Sequence, residues 1–132
     1  NDDKITLSDY QTNRDALWIK NNTSPNSIFL NTSYLYNGAS IVGRKIFLGW
    51  PYFAWSQGYD TTKRDQEIKS FFSLKDIQKI CNFLNKNNIS YISLDGKSKD
   101  YLYDKSFWGN FNKAYVNDET QIAIIKTASV CP

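Results

Sequence analysis

Ile77, Ile80, Cys81 and Leu84 stand at i, i+3, i+4 and i+7, the most regular apolar spacing in the chain. That spacing places four apolar side chains on one face of a helix. Ser73 is expected to cap this helix, with Asp76 at its third position to meet free amides. Asn87-Asn88 is expected to end it. A second helical pattern begins at Asp60 or Thr61 and runs to about Phe72, with Ile68, Phe71 and Phe72 as its apolar face. A third is read over residues 8–21. Ser8 would cap it, Asp9 would sit in its first turn, and Tyr10, Leu17 and Trp18 would share one face. The cluster at residues 21–26 would stop it.

Between these helices lie short apolar runs of strand length: residues 27–31, 45–48 and 91–94. Residues 34–41 are ambiguous, with a turn expected at Asn37-Gly38. Residues 99–109 read as helical in part. Residues 113–116 and 121–125 read as two strands joined by a hairpin turn over Asn117-Asp118-Glu119-Thr120. Helix, strand, helices, strand and hairpin make an α/β order. The expected fold is a sandwich of helices on a four- or five-stranded mixed sheet. Its first strands should be parallel through helical crossovers, and the C-terminal hairpin should place an antiparallel strand at the edge. No repeat or linker divides residues 1–132, so one domain is expected.

Charge adds little to this picture. The net charge is +3 and no basic run exceeds two residues, which gives no footprint for nucleic acid. No apolar stretch approaches the roughly 20 residues of a membrane span. The chain has no histidine and two cysteines, which excludes the usual Cys/His zinc sites and Ser-His-Asp or Cys-His catalysis within it. Neither a metal nor a cofactor is expected. We read Cys81 as a buried helix thiol and Cys131 as a frayed terminal residue; a disulfide between them is the alternative in an exported protein. The chain has no methionine and begins at Asn1, so it is expected to be processed or excised from something longer.

Aromatic residues reach 16%, and they crowd into residues 43–65. That segment carries two Trp, two Tyr, two Phe, two Arg, three Gly and one Pro. Rings supply apolar area while Arg and Asp supply directional hydrogen bonds, a mixture suited to a binding surface. The candidate binding residues are Arg44, Trp50, Tyr52, Trp55, Gln57, Tyr59, Asp60 and Arg64. Arg44 is read either as a fork for a phosphate or carboxylate or as the partner of Asp60 or Asp65 in an internal ion pair. Arg64, with Asp60 at i−4, is read as structural. Trp50 is read as a core anchor, and Trp55 and Tyr59 as rings able to stack on a sugar. Asp60, Asp65 and Glu67 sit where helix starts favour acids, so capping outweighs acid–base catalysis for them. Gly43, Gly49 and Gly58 do not form a dinucleotide-binding loop.

The segment 16–30, with its Trp18-Ile19, Asn22-Thr23, Pro25 and following strand, resembles the opening of a particular class of domain. These are the soluble domains that follow the transmembrane bundle in GT-C glycosyltransferases and oligosaccharyltransferases. Gly43-Arg44, Gly49-Trp50, Gly58-Tyr59-Asp60 and Arg64 are similar to a Gly-Arg, Gly-Trp, Gly, Arg pattern in related membrane proteins. Asn88-Ile89-Ser90-Tyr91-Ile92 is similar to their entry into the next strand. The likeness covers residues 10–126. It implies an extracytoplasmic C-terminal domain of a multi-pass membrane protein that uses a polyprenyl-phosphate-linked sugar. The expected partners are the chain's own transmembrane bundle and a lipid-linked sugar or glycan acceptor. Catalytic carboxylates would then lie in the bundle, leaving this domain an accessory role in binding acceptor or donor headgroup. The oligosaccharyltransferase signature Trp-Trp-Asp is absent, which leaves the acceptor open. The alternative is an exported module that binds a carbohydrate or another small ligand without catalysis.

Overall fold

The computed structural model describes residues 13–32, 39, 42–47, 61–97 and 100–132, and for Thr61 and Thr62 the backbone alone. Helix α1 is Arg14–Asn22, followed by strands β1 (Ile28–Asn31) and β2 (Lys45–Ile46). Helices α2 (Thr61–Ser73) and α3 (Ile77–Lys86) lead to β3 (Tyr91–Asp95). A short helix α4 (Lys105–Trp108), the hairpin β4 (Tyr115–Asn117) and β5 (Ile122–Lys126), and a last turn α5 (Thr127–Val130) complete the order.

The strands form one five-stranded mixed sheet in the order β2-β1-β3-β5-β4. β1 is parallel to both β2 and β3, whereas β5 runs antiparallel to β3 and to β4. This is the expected α/β architecture, with β4 at the edge. Both faces are covered, as a sheet with parallel strands requires. Side chains alternate across it. Phe29 and Ile124 face α1, in a cluster with Ile19 and Ala39. Leu30 and Ile125 face the other side, in a larger cluster built with Ile68, Phe71, Ile80, Leu84 and Trp108.

Several element boundaries differ from expectation, among them β2, which ends at Ile46 before Phe47, and β4, which begins at Tyr115 rather than Lys113. The helix read from Ser8 starts at Arg14, because the Asn13 side chain accepts the Ala16 N–H at 3.0 Å and closes the first turn. Its buried face is Asp15, Ala16 and Ile19, while Leu17 points outward; Ser8, Asp9 and Tyr10 lie outside the described residues. Ser73 is the last residue of α2 and donates to Ser70 O at 2.7 Å. Asp76 is itself the cap of α3, accepting the Gln78 N–H at 2.9 Å, and Ile77 in the first turn stays exposed. Asn117 belongs to β4 and is buried, so the hairpin turn lies one residue later.

The stop at Asn87-Asn88 is as expected, and its geometry says why. Asn88 adopts φ 55, a left-handed conformation that asparagine tolerates better than most residues. Ile89 N–H then donates to Leu84 O at 2.9 Å and Asn88 N–H to Asn85 O at 3.2 Å. These two bonds satisfy carbonyls that the helix end leaves free. Ile89 and Leu84 join the same core cluster, so the stop and the burial reinforce each other.

Cys81 and Cys131 are joined in a disulfide, with Cα atoms 5.6 Å apart. The reading of two free thiols is therefore corrected. Cys81 is buried on the core face of α3, as expected, but the last turn of the chain docks against it through Val130.

Candidate functional site

Arg44 and Arg64 are the two sequence candidates within the described residues. Trp50, Tyr52, Trp55, Gln57, Tyr59 and Asp60 lie outside them. Gly43 sits at φ +77, with open space where a Cβ would be. That backbone conformation favours glycine, and it turns the chain so that Arg44 starts the approach to β2. The Arg44 guanidinium then reaches back to the end of α1. Its Nε donates to Thr23 Oγ1 at 2.9 Å and its Nη2 to Thr23 O at 3.1 Å and Lys20 O at 3.3 Å. Nη1 reaches Val42 O at 3.4 Å. The carbonyls at a helix C-terminus lack partners and carry partial negative charge, so a cation there satisfies both needs. Arg44 thus closes α1 through carbonyl and hydroxyl oxygens rather than through a carboxylate.

Arg64 serves the other layer. It comes from α2, donates through Nη1 to Phe47 O, and lies over the Phe47 ring with Cζ 4.3 Å from the centroid. A guanidinium stacked on a ring face keeps its charge stabilised while its edge remains able to donate. Arg64, Phe47, Lys45, Ile28 and Asn87 line an open cleft of about 350 Å³ beside β2. The two arginines therefore bracket a two-residue edge strand, one tied to the α1 layer and one to the α2 layer. Asp65 accepts the buried Tyr101 hydroxyl at 2.7 Å and pairs with Lys69 at 3.1 Å.

Sequence reading missed a buried polar network on the α1 face. Asp15 is buried and accepts two hydrogen bonds at one oxygen, from the Tyr115 hydroxyl at 2.6 Å and from Asn117 Nδ2 at 2.9 Å. Arg14 Nη2 donates to Asn117 Oδ1 at 3.0 Å and pairs with Glu119 at the surface. The network fastens α1 to the edge strand β4 across about a hundred residues of chain. No local pattern announces it, because an acid in a first helical turn reads as a solvated one.

Burial first, then the hydrogen bond to Asp15 and its charge, push the Tyr115 phenol up to about 12. Tyrosine ordinarily ionises near ~10. The folded state therefore holds this proton more tightly than the unfolded chain. Its contribution to stability is full below ~10 and is lost as pH rises toward about 12. Tyr115 is partly exposed, so solvent screening makes the energy smaller than the shift alone implies. In a phenolate absorbance titration, Tyr115 is expected to ionise late, as is Tyr103, whose phenol burial and then the Asp95 charge also push up, and Tyr115→Phe should take one phenolate out of that late step. If the phenolate lost in Tyr115→Phe comes instead from the step near the ordinary tyrosine value, the Asp15 contact is contradicted.

Asn31 ends β1, on the central parallel strand. Among the described residues, its amide oxygen and nitrogen are both buried without a hydrogen-bond partner, as is Trp108 Nε1. Such atoms carry a desolvation cost. Among the described residues, no group of three or more His, Cys, Asp or Glu side chains gathers to hold a metal ion. Among the same residues, no helix is long and apolar enough to cross a membrane.

No protein-family model matches the chain, and no curated protein matches it. Solved structures do resemble it. The chain is similar to the C-terminal globular domain of an oligosaccharyltransferase from Archaeoglobus fulgidus. The two share 10% identity over 94% of this chain and 99% of that one, with a TM-score of 0.48.

Proposed function

We propose that this chain is an accessory, extracytoplasmic domain of a membrane-embedded, GT-C-like glycosyltransferase, which helps to hold the acceptor or the polyprenyl-phosphate-linked donor headgroup. The Cys81–Cys131 disulfide carries the reading. Disulfides persist in oxidising compartments, so it supports an extracytoplasmic location. The likeness of residues 16–30 to domains behind transmembrane bundles, and of Gly43-Arg44, Gly49-Trp50, Gly58-Tyr59-Asp60 and Arg64 to a pattern in related membrane proteins, supports the membrane-bound parent. In this reading Arg44 and Arg64 anchor the two ends of the aromatic segment to the fold. Trp55 and Tyr59 between them supply rings for the C–H faces of a sugar.

Cell fractionation of the native protein, followed by protease treatment of intact cells, tests this. The domain should sediment with membranes and be digested from outside. A native protein free in the cytosol would sink the reading. Recovery free in the exported fraction would instead favour the exported binding module, and Trp55→Ala should then abolish its glycan binding.

A further inference from the structure

A second cleft, of about 370 Å³, opens at the end of the sheet where β1 and β3 begin and β5 ends. Ser24, Ser27, Ser90, Tyr91, Lys126 and Thr127 line it. The backbone around it is tied across three segments: Ser90 N–H donates to Ile28 O and Thr127 N–H to Ser90 O, both at 2.9 Å. Tyr91 pairs with Lys126 in the antiparallel ladder, which puts the two side chains on one face of the sheet at this cleft. Ser27 is only 7% exposed, and its N–H is used by Ser24 O at 3.0 Å. Among the described residues, the Ser27, Ser90 and Tyr91 hydroxyls and the Lys126 ammonium have no hydrogen-bond partner.

These groups are all able to donate, one of them carries a full positive charge, and no carboxylate among the described residues lines the cleft. They suit an anion with several oxygens. A planar carboxylate is best met by the fork of an arginine, which is missing here; a tetrahedral oxyanion accepts separate donors along several directions. The wider charge distribution agrees. Lys20 ends α1, Lys45 begins β2 and Lys86 ends α3, all at this end of the sheet. Asp15, Asp76, Asp95, Asp118 and Glu119 lie at the opposite end, at the starts of α1 and α3, the end of β3 and the hairpin turn, where Arg14, Lys75 and Lys97 offset part of their charge. Charge separated along the strand axis draws an anion toward the basic end.

We propose that this cleft binds a phosphate group, with Lys126 opposing its charge and the Ser27, Ser90 and Tyr91 hydroxyls donating to its oxygens. The site uses none of the residues of the aromatic segment, and it stands whether or not the parent protein is membrane-embedded.

Titration of the isotope-labelled chain with inorganic phosphate at constant ionic strength, followed by amide NMR shifts, tests the site. Saturable shifts are expected at Ser27, Ser90, Tyr91 and Thr127. Lys126→Gln should weaken binding by about tenfold or more, the loss of a charge-assisted hydrogen bond. Ser27→Ala should weaken it less while leaving the fold intact, since that hydroxyl has no hydrogen-bond partner among the described residues. Shifts that never saturate, or an unchanged affinity in Lys126→Gln, would overturn the proposal. Sedimentation with zwitterionic vesicles, with and without phosphatidic acid, separates the two sources of such a group. Binding only to the acidic vesicles, lost in Lys126→Gln, assigns a lipid headgroup; phosphate binding without sedimentation assigns a free phosphate or phosphate ester.

Discussion

Replacing Cys81 and Cys131 together by alanine is expected to lower the free energy of unfolding by about 4 kcal/mol. The bridge closes a loop of 50 residues, which contains β3, the hairpin and most of the helix that bears Cys81. In the chain-entropy account, cutting that loop releases conformational freedom in the unfolded state. The native contacts stay in place, with Val130 still able to pack on α3. A reductant should therefore shift the urea midpoint of the parent chain toward that of the double variant and leave the variant unmoved. The expectation fails if the parent chain carries two free thiols under non-reducing conditions, or if its midpoint ignores the reductant. The effect would be a large part of the 5–15 kcal/mol that an ordinary domain has. A chain of this kind would be poorly stable in a reducing compartment, which ties the prediction to the extracytoplasmic role proposed above.

Trp108→Ala is expected to cost about 3–5 kcal/mol. Trp108 is 1% exposed and is surrounded by four other rings. Its centroid is 5.4 Å from that of Phe111, 5.6 Å from Phe107, 5.7 Å from Phe71 and 5.9 Å from Phe72. The cluster joins α2 to α4, so alanine opens a cavity between two elements that have little else in common. Trp108→Phe makes the informative contrast. The indole N–H is buried with no partner, and phenylalanine removes that cost while keeping most of the apolar volume. Its penalty should stay below about 1.5 kcal/mol. Thermal unfolding read by far-ultraviolet circular dichroism checks both, since neither variant removes the backbone signal. Equal losses in the two variants would mean that the indole N–H does find a partner.

Much of the fold was legible before any coordinates. The apolar runs that became β1, β3 and β5 are short and bounded by turn residues, and the faces of α2 and α3 repeat at helical spacing. The parallel strands and the edge hairpin followed from the order of those elements. The differences at caps and turns share one cause. Residue type alone suits Ser8, Ser73 and Asn117 to a cap or turn, yet several nearby residues can do the same work. Asn13 and Asp76 took the capping roles because their side chains met the free amides once packing had set the helix axes. For the candidate site, the sequence marked Gly43-Arg44 and Arg64 as unusual but not what they touch. Arg44 turned to the end of α1, and Arg64 to Phe47.

The sequence by itself determined which faces are apolar and where the chain turns, because periodicity and turn chemistry act over a few residues. The tertiary structure alone decided that Cys81 meets Cys131, that Asp15 is held by Tyr115 and Asn117, and that Ser27, Ser90 and Lys126 line one cleft. Each of these contacts joins segments far apart in the chain. Their pairing is set by how the layers stack, and no local pattern encodes it.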